Sequence, residues 1–444
     1  MSEPPSPPVI KKPFSTFFHP LKSWLDIIVG YLMTWFVPLA PLAKLPAHED
    51  GDKTTAANEK IRRQFKKGAP FMGKPWIVKW SKAFDNHVDN IVQVTLHIPR
   101  RPDILQEWKV LEKGDIATTN SEDRKTKKTI PVILRLPLSA CGAEDRALAS
   151  KGTNEFGCKT LDTIHLAALD PNAPFCIYFH GGGLTLGTMH DGDALRLVQS
   201  ASTAGNGGKA IILASVGYSL APTHVFPTAV CESLTVLSYF IDQMPQRKFH
   251  FAGISAGGNL ATVAALELFR RKANKLGSLL ALVPMVDPAA DSDSHYMNRI
   301  SSFVPTEWLR WCWRCYLALP PNEIDRKLDI YTLPTMAQRY AHGSNQTSWK
   351  ESTWRNTALD RLVDPTLDLP INVGAENAPL MAVLTNQGDP LHDDGIKLYK
   401  ALKAKGAKVR HLDQRGSHWL GTGLDTRNFQ QVVDVWREMM FSTT

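Results

Sequence analysis

The sequence predicts an α/β protein: a mostly parallel central sheet, helices on both faces, and a helical cap inserted late in the chain. Three observations carry this. From about Asn90 onward, β-branched strand-like runs alternate with stretches of helical spacing. The strand-like runs are continuously apolar, as strands buried on both faces must be. One serine, Ser255, stands between glycines where a short strand meets a helix.

Composition agrees with a folded enzyme-sized chain. With 444 residues, 43% hydrophobic and 21% charged, it is not a disordered, collagen-like or disulfide-scaffold protein. A chain this long can bury a core without metals or disulfides. The 51 basic against 43 acidic residues leave a formal net charge of +8. No dense Lys/Arg stripe interleaved with aromatics accompanies that excess, so no nucleic-acid partner is expected.

The N-terminal part reads differently. Residues 1–20 are a proline-rich leader, and Trp24 to Ala43 is strongly apolar, broken by Asp26, Thr34, Pro38 and Pro41. At 1.5 Å rise such a run could just cross a hydrocarbon core of about 30 Å. Trp24, Tyr31 and Trp35 suit a membrane interface. Pro38 and Pro41 remove donors and shorten the helix, which also fits a helix lying on a membrane or on the protein. No convincing cleavage site follows, so a retained anchor is favoured over a signal peptide. Lysines and arginines flank both ends, so orientation stays open. The expected division is 1–50 for leader and anchor or interfacial helix, and 51–444 for the α/β domain, with a cap at about 288–376.

Within the domain, Ile91 to Ile98 and Thr129 to Leu134 read as strands. A polar excursion, Ser139 to Asn172, separates them from Phe175 to Phe179 and Ala210 to Val216, also strands. Pro227 to Met244 is helical, with Val230, Leu234, Leu237 and Phe240 on one side. Phe249 to Gly253 is a strand and Gly258 to Arg271 a helix. Leu279 to Val286 and Leu380 to Leu384 are buried strands; Ile396 to Lys405 is a helix ended by Gly406. Val409 to Leu412 is a strand and Phe429 to Phe441 closes the chain as a helix. The tryptophan-rich interval from Asp287 to Glu376 breaks the rhythm and is the cap.

Six cysteines are present. Cys141 and Cys158 could pair, but free thiols are the preferred reading. Cys312 and Cys315 form a CxxC without a second ligand pair, among aromatics at helical spacing; a core-facing helix is expected, not a zinc or redox site. No metal or cofactor is expected. The sequon at Asn345-Gln346-Thr347 would be usable only in a lumenal or extracellular domain.

The chemistry-bearing residues recur late in the chain. Gly253-Ile-Ser255-Ala-Gly257 puts a serine on a sharp strand-to-helix turn, with Oγ exposed at a helix N-terminus. His180-Gly181-Gly182-Gly183 follows a strand directly, and its glycines let backbone N–H groups approach a ligand. With a nucleophile downstream, Gly181, Gly182 and Ala256 become candidate oxyanion donors, and His180 a brace for the loop. An acid and then a histidine should follow in chain order. Asp389 comes after the strand at Leu380, and His418 after the strand at Val409. Asp393 and Asp394 read as caps for the next helix, and His392 is too near Asp389 to reach Ser255. In that arrangement His418 would take the Ser255 proton, Asp389 would hold the imidazole tautomer, and the amides would bind an oxyanion.

These residues resemble the hormone-sensitive-lipase-like branch of the α/β-hydrolases. That branch carries an HGGG motif, a Tyr-x-Leu-Ala-Pro-x-His-x-Phe-Pro segment, a GxSAGG elbow, an Asp-Pro-Leu acid motif and a late histidine. Here they stand as His180–Gly183, Tyr218–Pro227, Gly253–Gly258, Asp389–Leu391 and His418, in the same order. Two departures are visible: Ile254 where the elbow usually has an acidic residue, and Trp419-Leu420 after the histidine, where Gly-Phe is common. The resemblance implies an α/β-hydrolase fold and a serine esterase without cofactor. Its apolar N-terminus is similar to membrane-bound members such as arylacetamide deacetylases and steryl acetyl hydrolases. That implies short-chain, acetyl-like esters of bulky apolar alcohols at the endoplasmic reticulum. An amidase or formamidase using the same machinery, or a non-catalytic ligand-binding relative, are the alternatives.

Overall fold

The computed structural model describes residues 91–111, 128–149, 158–190, 210–298, 304, 306–319, 357–370, 380–416, 418 and 426–442, with scattered positions between 194 and 201. The apolar run Trp24 to Ala43, the interior of the cap and the Asn345 sequon lie outside the described residues. Among the described residues, no helix is long and apolar enough to cross a membrane.

Among the described residues, nine strands form one sheet: β1 (Ile91–Pro99), β2 (Thr129–Pro137), β3 (Lys159–Leu161), β4 (Phe175–Phe179), β5 (Ile212–Val216), β6 (Phe249–Ile254), β7 (Leu276–Leu282), β8 (Leu380–Asn386) and β9 (Lys408–Gln414). Their order is β3-β1-β2-β5-β4-β6-β7-β8-β9. Pairing is antiparallel only at the two edges of β2 and parallel elsewhere. Helices include α1 (Thr228–Gln243), α2 (Ala256–Lys272), α3 (Asp293–Met297), α4 (Thr306–Leu317), α5 (His392–Ala404) and α6 (Thr426–Phe441), besides other short helices.

Both faces of the sheet are buried, which explains the continuous apolar strands. In β4, Phe175, Ile177 and Phe179 join the cluster formed with α1, α2 and α5, whereas Cys176 and Tyr178 join the cluster beneath α6. β8 divides likewise, with Met381 and Val383 on one side and Ala382 and Leu384 on the other. The predicted stripe Val230, Leu234, Leu237 and Phe240 of α1 is buried throughout.

Most element boundaries shift by a few residues from the expectation, and some differences have a clear physical reason. β7 ends at Leu282, not Val286, because Val283 turns to φ +39° and Pro284 has no N–H to continue the ladder. α5 begins at His392 rather than Ile396, since the turn after the acid loop is already helical. The polar excursion contains a short helix, Ala143–Leu148, and the edge strand β3, whose three residues pair with β1. Too few apolar residues mark either. Gly406 ends α5 as expected, at φ +82° just beyond the C-cap.

The cap interval supplies α3 and α4. The rings Trp308, Trp311 and Trp313 are buried, as are both thiols of the CxxC helix. Cys141 and Cys158 are not joined by a disulfide in this structure.

Candidate active site

The chain passes from β4 outward to β5 and returns to β6 on the other side of β4. Such a reversal marks the carboxyl ends of β4 and β6 as the place where ligands bind in sheets of this kind. The HGGG loop leaves β4 there, and the serine turn leaves β6.

Ser255 is the junction residue of the turn, at φ 57° and ψ −122°. This strained conformation lifts a side chain clear of both strand and helix. The backbone holds it from both sides: Ser255 N–H donates to Leu282 O at 2.8 Å, and Met285 N–H donates to Ser255 O at 3.0 Å. The flanking glycines are required by close approach. A Cβ at Gly253 would meet Gly257 O at 2.1 Å, and one at Gly257 would meet Phe179 O at 2.0 Å. Ser255 Oγ is buried and has no hydrogen-bond partner among the described residues.

The HGGG loop lies against this turn. A Cβ on Gly181 would stand 3.4 Å from Ser255 Cβ, so the Gly181 backbone runs alongside the serine. Gly182 and Gly183 take φ of +116° and +61°, open to glycine and strained for other residues. Among the described residues, none accepts a hydrogen bond from the amides of Gly181, Gly182 or Ala256. His180 braces the loop: its Nδ1–H donates to Gly181 O at 2.7 Å, and its ring stacks on Tyr218 at 4.2 Å. The Tyr218 hydroxyl in turn donates to His180 O at 2.7 Å. The cap helix α4 closes the far side, where a Cβ on Gly183 would meet Cys312 Sγ at 2.4 Å.

Asp389 and His418 follow β8 and β9, two and three places along the sheet from β6. At roughly 4.8 Å per strand, Asp389 rises from a strand about 10 Å from that of Ser255. His418 Nδ1 stands 2.7 Å from Asp389 Oδ2, and both side chains are buried. The loops carrying them are joined by Gly388 N–H donating to Gly416 O at 2.8 Å. The structure thus brings Asp389 and His418 into direct contact and sets Ser255 at the same sheet end, without a hydrogen bond from Oγ to the imidazole. Such bonds often tighten only when substrate is bound.

The rival residues are engaged elsewhere. His392 sits between Asp393 Oδ1 at 3.3 Å and Asp413 Oδ1 at 3.2 Å, and hydrogen bonding to Asp393 raises its pKa. Asp394 does not cap its own helix; its Oδ2 accepts the N–H groups of Val286 and Asp287, each at 2.8 Å. Burial, then the nearby Asp287 charge, pushes the Asp394 carboxyl well above the usual range. Cys312 and Cys315 are inert by the same logic, since burial pushes both thiols upward. Among the described residues, no group of three or more His, Cys, Asp or Glu could hold a metal ion.

Two supports escaped the sequence reading. Glu232 on α1 accepts the Ser219 hydroxyl at 2.9 Å and pairs with Arg100, fixing the segment after Tyr218. Ser294 and Asn298 reach the acid loop from α3 and its end. No spacing in the sequence marks either, because their partners lie about 100 residues away or more in the chain for Ser294 and Arg100.

A sequence model described as the α/β hydrolase fold matches residues 176–347, which span both the glycine loop and the serine turn. That match covers less than half of the chain. Two curated relatives illustrate the company of this α/β-hydrolase-fold chain. An "Ethyl acetate hydrolase" of Pseudomonas putida is 24% identical over 248 residues, 54% of this chain and 60% of that protein. A "Versiconal hemiacetal acetate esterase" of Emericella nidulans is 35% identical over 115 residues, 25% of this chain and 37% of that protein. Less than two thirds of either relative is therefore matched. Among solved structures, an esterase of Pyrobaculum calidifontis superposes with TM-score 0.55 at 18% identity, covering 88% of this chain and 96% of its own. The fold is shared with it, and the α/β-hydrolase fold that the five motifs led one to expect is borne out.

Proposed function

We propose that this protein is a serine carboxylic ester hydrolase acting on short-chain, acetyl-like esters of apolar alcohols. The observation that carries the reading is the buried 2.7 Å contact between His418 and Asp389 at the sheet end that also bears Ser255 on its strained turn. In the reaction, Ser255 Oγ attacks the ester carbonyl carbon as His418 Nε2 takes its proton. Asp389 keeps the Nδ1–H tautomer and stabilises the imidazolium. The negative charge on the carbonyl oxygen is met by the amides of Gly181, Gly182 and Ala256. The imidazolium protonates the departing alcohol. Water, deprotonated by His418, then cleaves the acyl-serine ester and releases the acid. The acetate esters named for both curated relatives support the short acyl group. Buried rings on α4 supply apolar surface behind the glycine loop, in keeping with an apolar substrate.

The test is hydrolysis of p-nitrophenyl acetate against longer acyl esters and an anilide, with Ser255→Ala as control. Turnover favouring acetate and lost in the variant, with Ser255 labelled by a fluorophosphonate, is expected. Turnover retained by Ser255→Ala sinks the reading, and preference for the anilide turns it into an amidase.

The N-terminal run Trp24 to Ala43 is proposed to associate with membrane, at the endoplasmic reticulum. Sedimentation of the full chain with membranes after carbonate washing, lost on removal of residues 1–50, is the expected result.

A further inference from the structure

We propose that Asn298, just beyond α3, is a positioning residue for the Asp389–His418 pair; the catalytic consequence rests on the triad reading above. Asn298 Nδ2 donates to two backbone carbonyls, Gln387 O and Asp389 O, each at 3.0 Å. Both partners are acceptors, so the amide nitrogen is the end that faces them. The two carbonyls flank Gly388 in the turn closed by Asp389 N–H donating to Asn386 O at 3.0 Å. One side-chain amide thus pins the turn that carries the acid.

The acid has little freedom of its own. Asp389 Oδ1 accepts the Leu391 N–H at 2.9 Å, and Oδ2 faces His418. Its direction is therefore set by the backbone from Gln387 to Leu391. Ser294 adds a second hold, donating from Oγ to Pro390 O at 2.6 Å. Ser294 N–H also donates to Asp393 Oδ2 at 2.8 Å, while Asp393 N–H donates to Ser294 Oγ at 3.1 Å. The carbonyls of residues 387, 389 and 390 are all met by side chains of the cap segment. On the opposite side the turn meets the histidine loop through Gly388 and Gly416. The entry to the cap therefore sets the geometry of the acid, and a displacement of about 1 Å in such a group can cost a hundredfold in rate.

The test uses the full chain with Asn298→Ala and the near-isosteric Asn298→Asp, which removes both donors even if the alanine variant folds poorly. The first readout is the downfield proton resonance of His418 Nδ1–H, assigned by its loss in His418→Ala. In folded variants it should move or broaden. The second is ester turnover: kcat should fall tenfold or more with KM within about twofold. An unmoved resonance in a folded variant overturns the proposal, whatever happens to kcat. So does a wild-type protein that shows no such resonance. A wild type with the resonance but no ester turnover sinks the esterase reading alone, and the resonance still decides the role of Asn298.

Discussion

The imidazole Nδ1 of His418 and the carboxylate Oδ2 of Asp389 stand 2.7 Å apart, with Asp389 fully buried and His418 only 8% exposed. Nothing in bulk solvent can substitute for that carboxylate. Asp389→Asn should keep the Leu391 N–H contact but offer the ring a different tautomer. A fall in kcat of about 10⁴-fold is expected, with the thermal midpoint little changed. Steady-state kinetics on p-nitrophenyl acetate, set beside a melting curve, checks both halves.

The two glycine approaches predict different outcomes for the same substitution. At Gly257 an added Cβ meets backbone oxygens of Phe179 and His180 at 2.0 and 2.4 Å, which cannot yield. Gly257→Ala should fail to give folded protein, seen as loss of a cooperative melt. At Gly181 the closest atoms are Ile254 O and Cγ2, at 3.2 and 3.3 Å, so a shift of a few tenths of an ångström suffices. Gly181→Ala should fold, yet lose roughly 10²–10³ in kcat as an oxyanion donor moves.

His250 is buried on β6, its Nδ1 2.9 Å from Ser278 Oγ on β7, and burial lowers its pKa from 6.5 to about 3. The sign follows from proton binding. Above pH 6.5 the ring is neutral whether the chain is folded or not, so its full contribution is present. As pH falls toward 3 the unfolded chain takes up a proton that the folded one refuses, and stability declines at up to about 1.4 kcal/mol per pH unit from this group. Denaturant midpoints between pH 7 and 4 should fall less steeply for His250→Gln than for the wild type. Parallel slopes would contradict the assignment.

Five of the six thiols lie in buried residues, and all six are free. Burial raises Cys141 to about 11 and Cys231 to about 12, and pushes Cys312 and Cys315 up further in kind. Thiolate, the reactive form, is scarce at neutral pH. Alkylation of the native protein should be slow. In denaturant without reductant, mass spectrometry should find six modified cysteines.

Much of this was legible in the sequence because it depends on local pattern. Continuous apolar runs could only be strands covered on both faces. The GxSxG turn and the glycine run after β4 announce backbone that must approach other backbone closely, and Gly257 against Phe179 O shows why. Helix-cap position set Asp389 apart from Asp393 and Asp394, and closeness to Asp389 set His392 apart from His418. Tertiary structure decided what pattern cannot carry: that His392 turns to Asp413, that Asp394 serves the loop after β7, and that Asn298 grips the acid turn. Those contacts join residues 21, 108 and 91 positions apart in the chain. A hydrogen bond between distant side chains leaves no periodicity behind, so only the folded sheet, by setting neighbouring loops at one end, determines which of them meet.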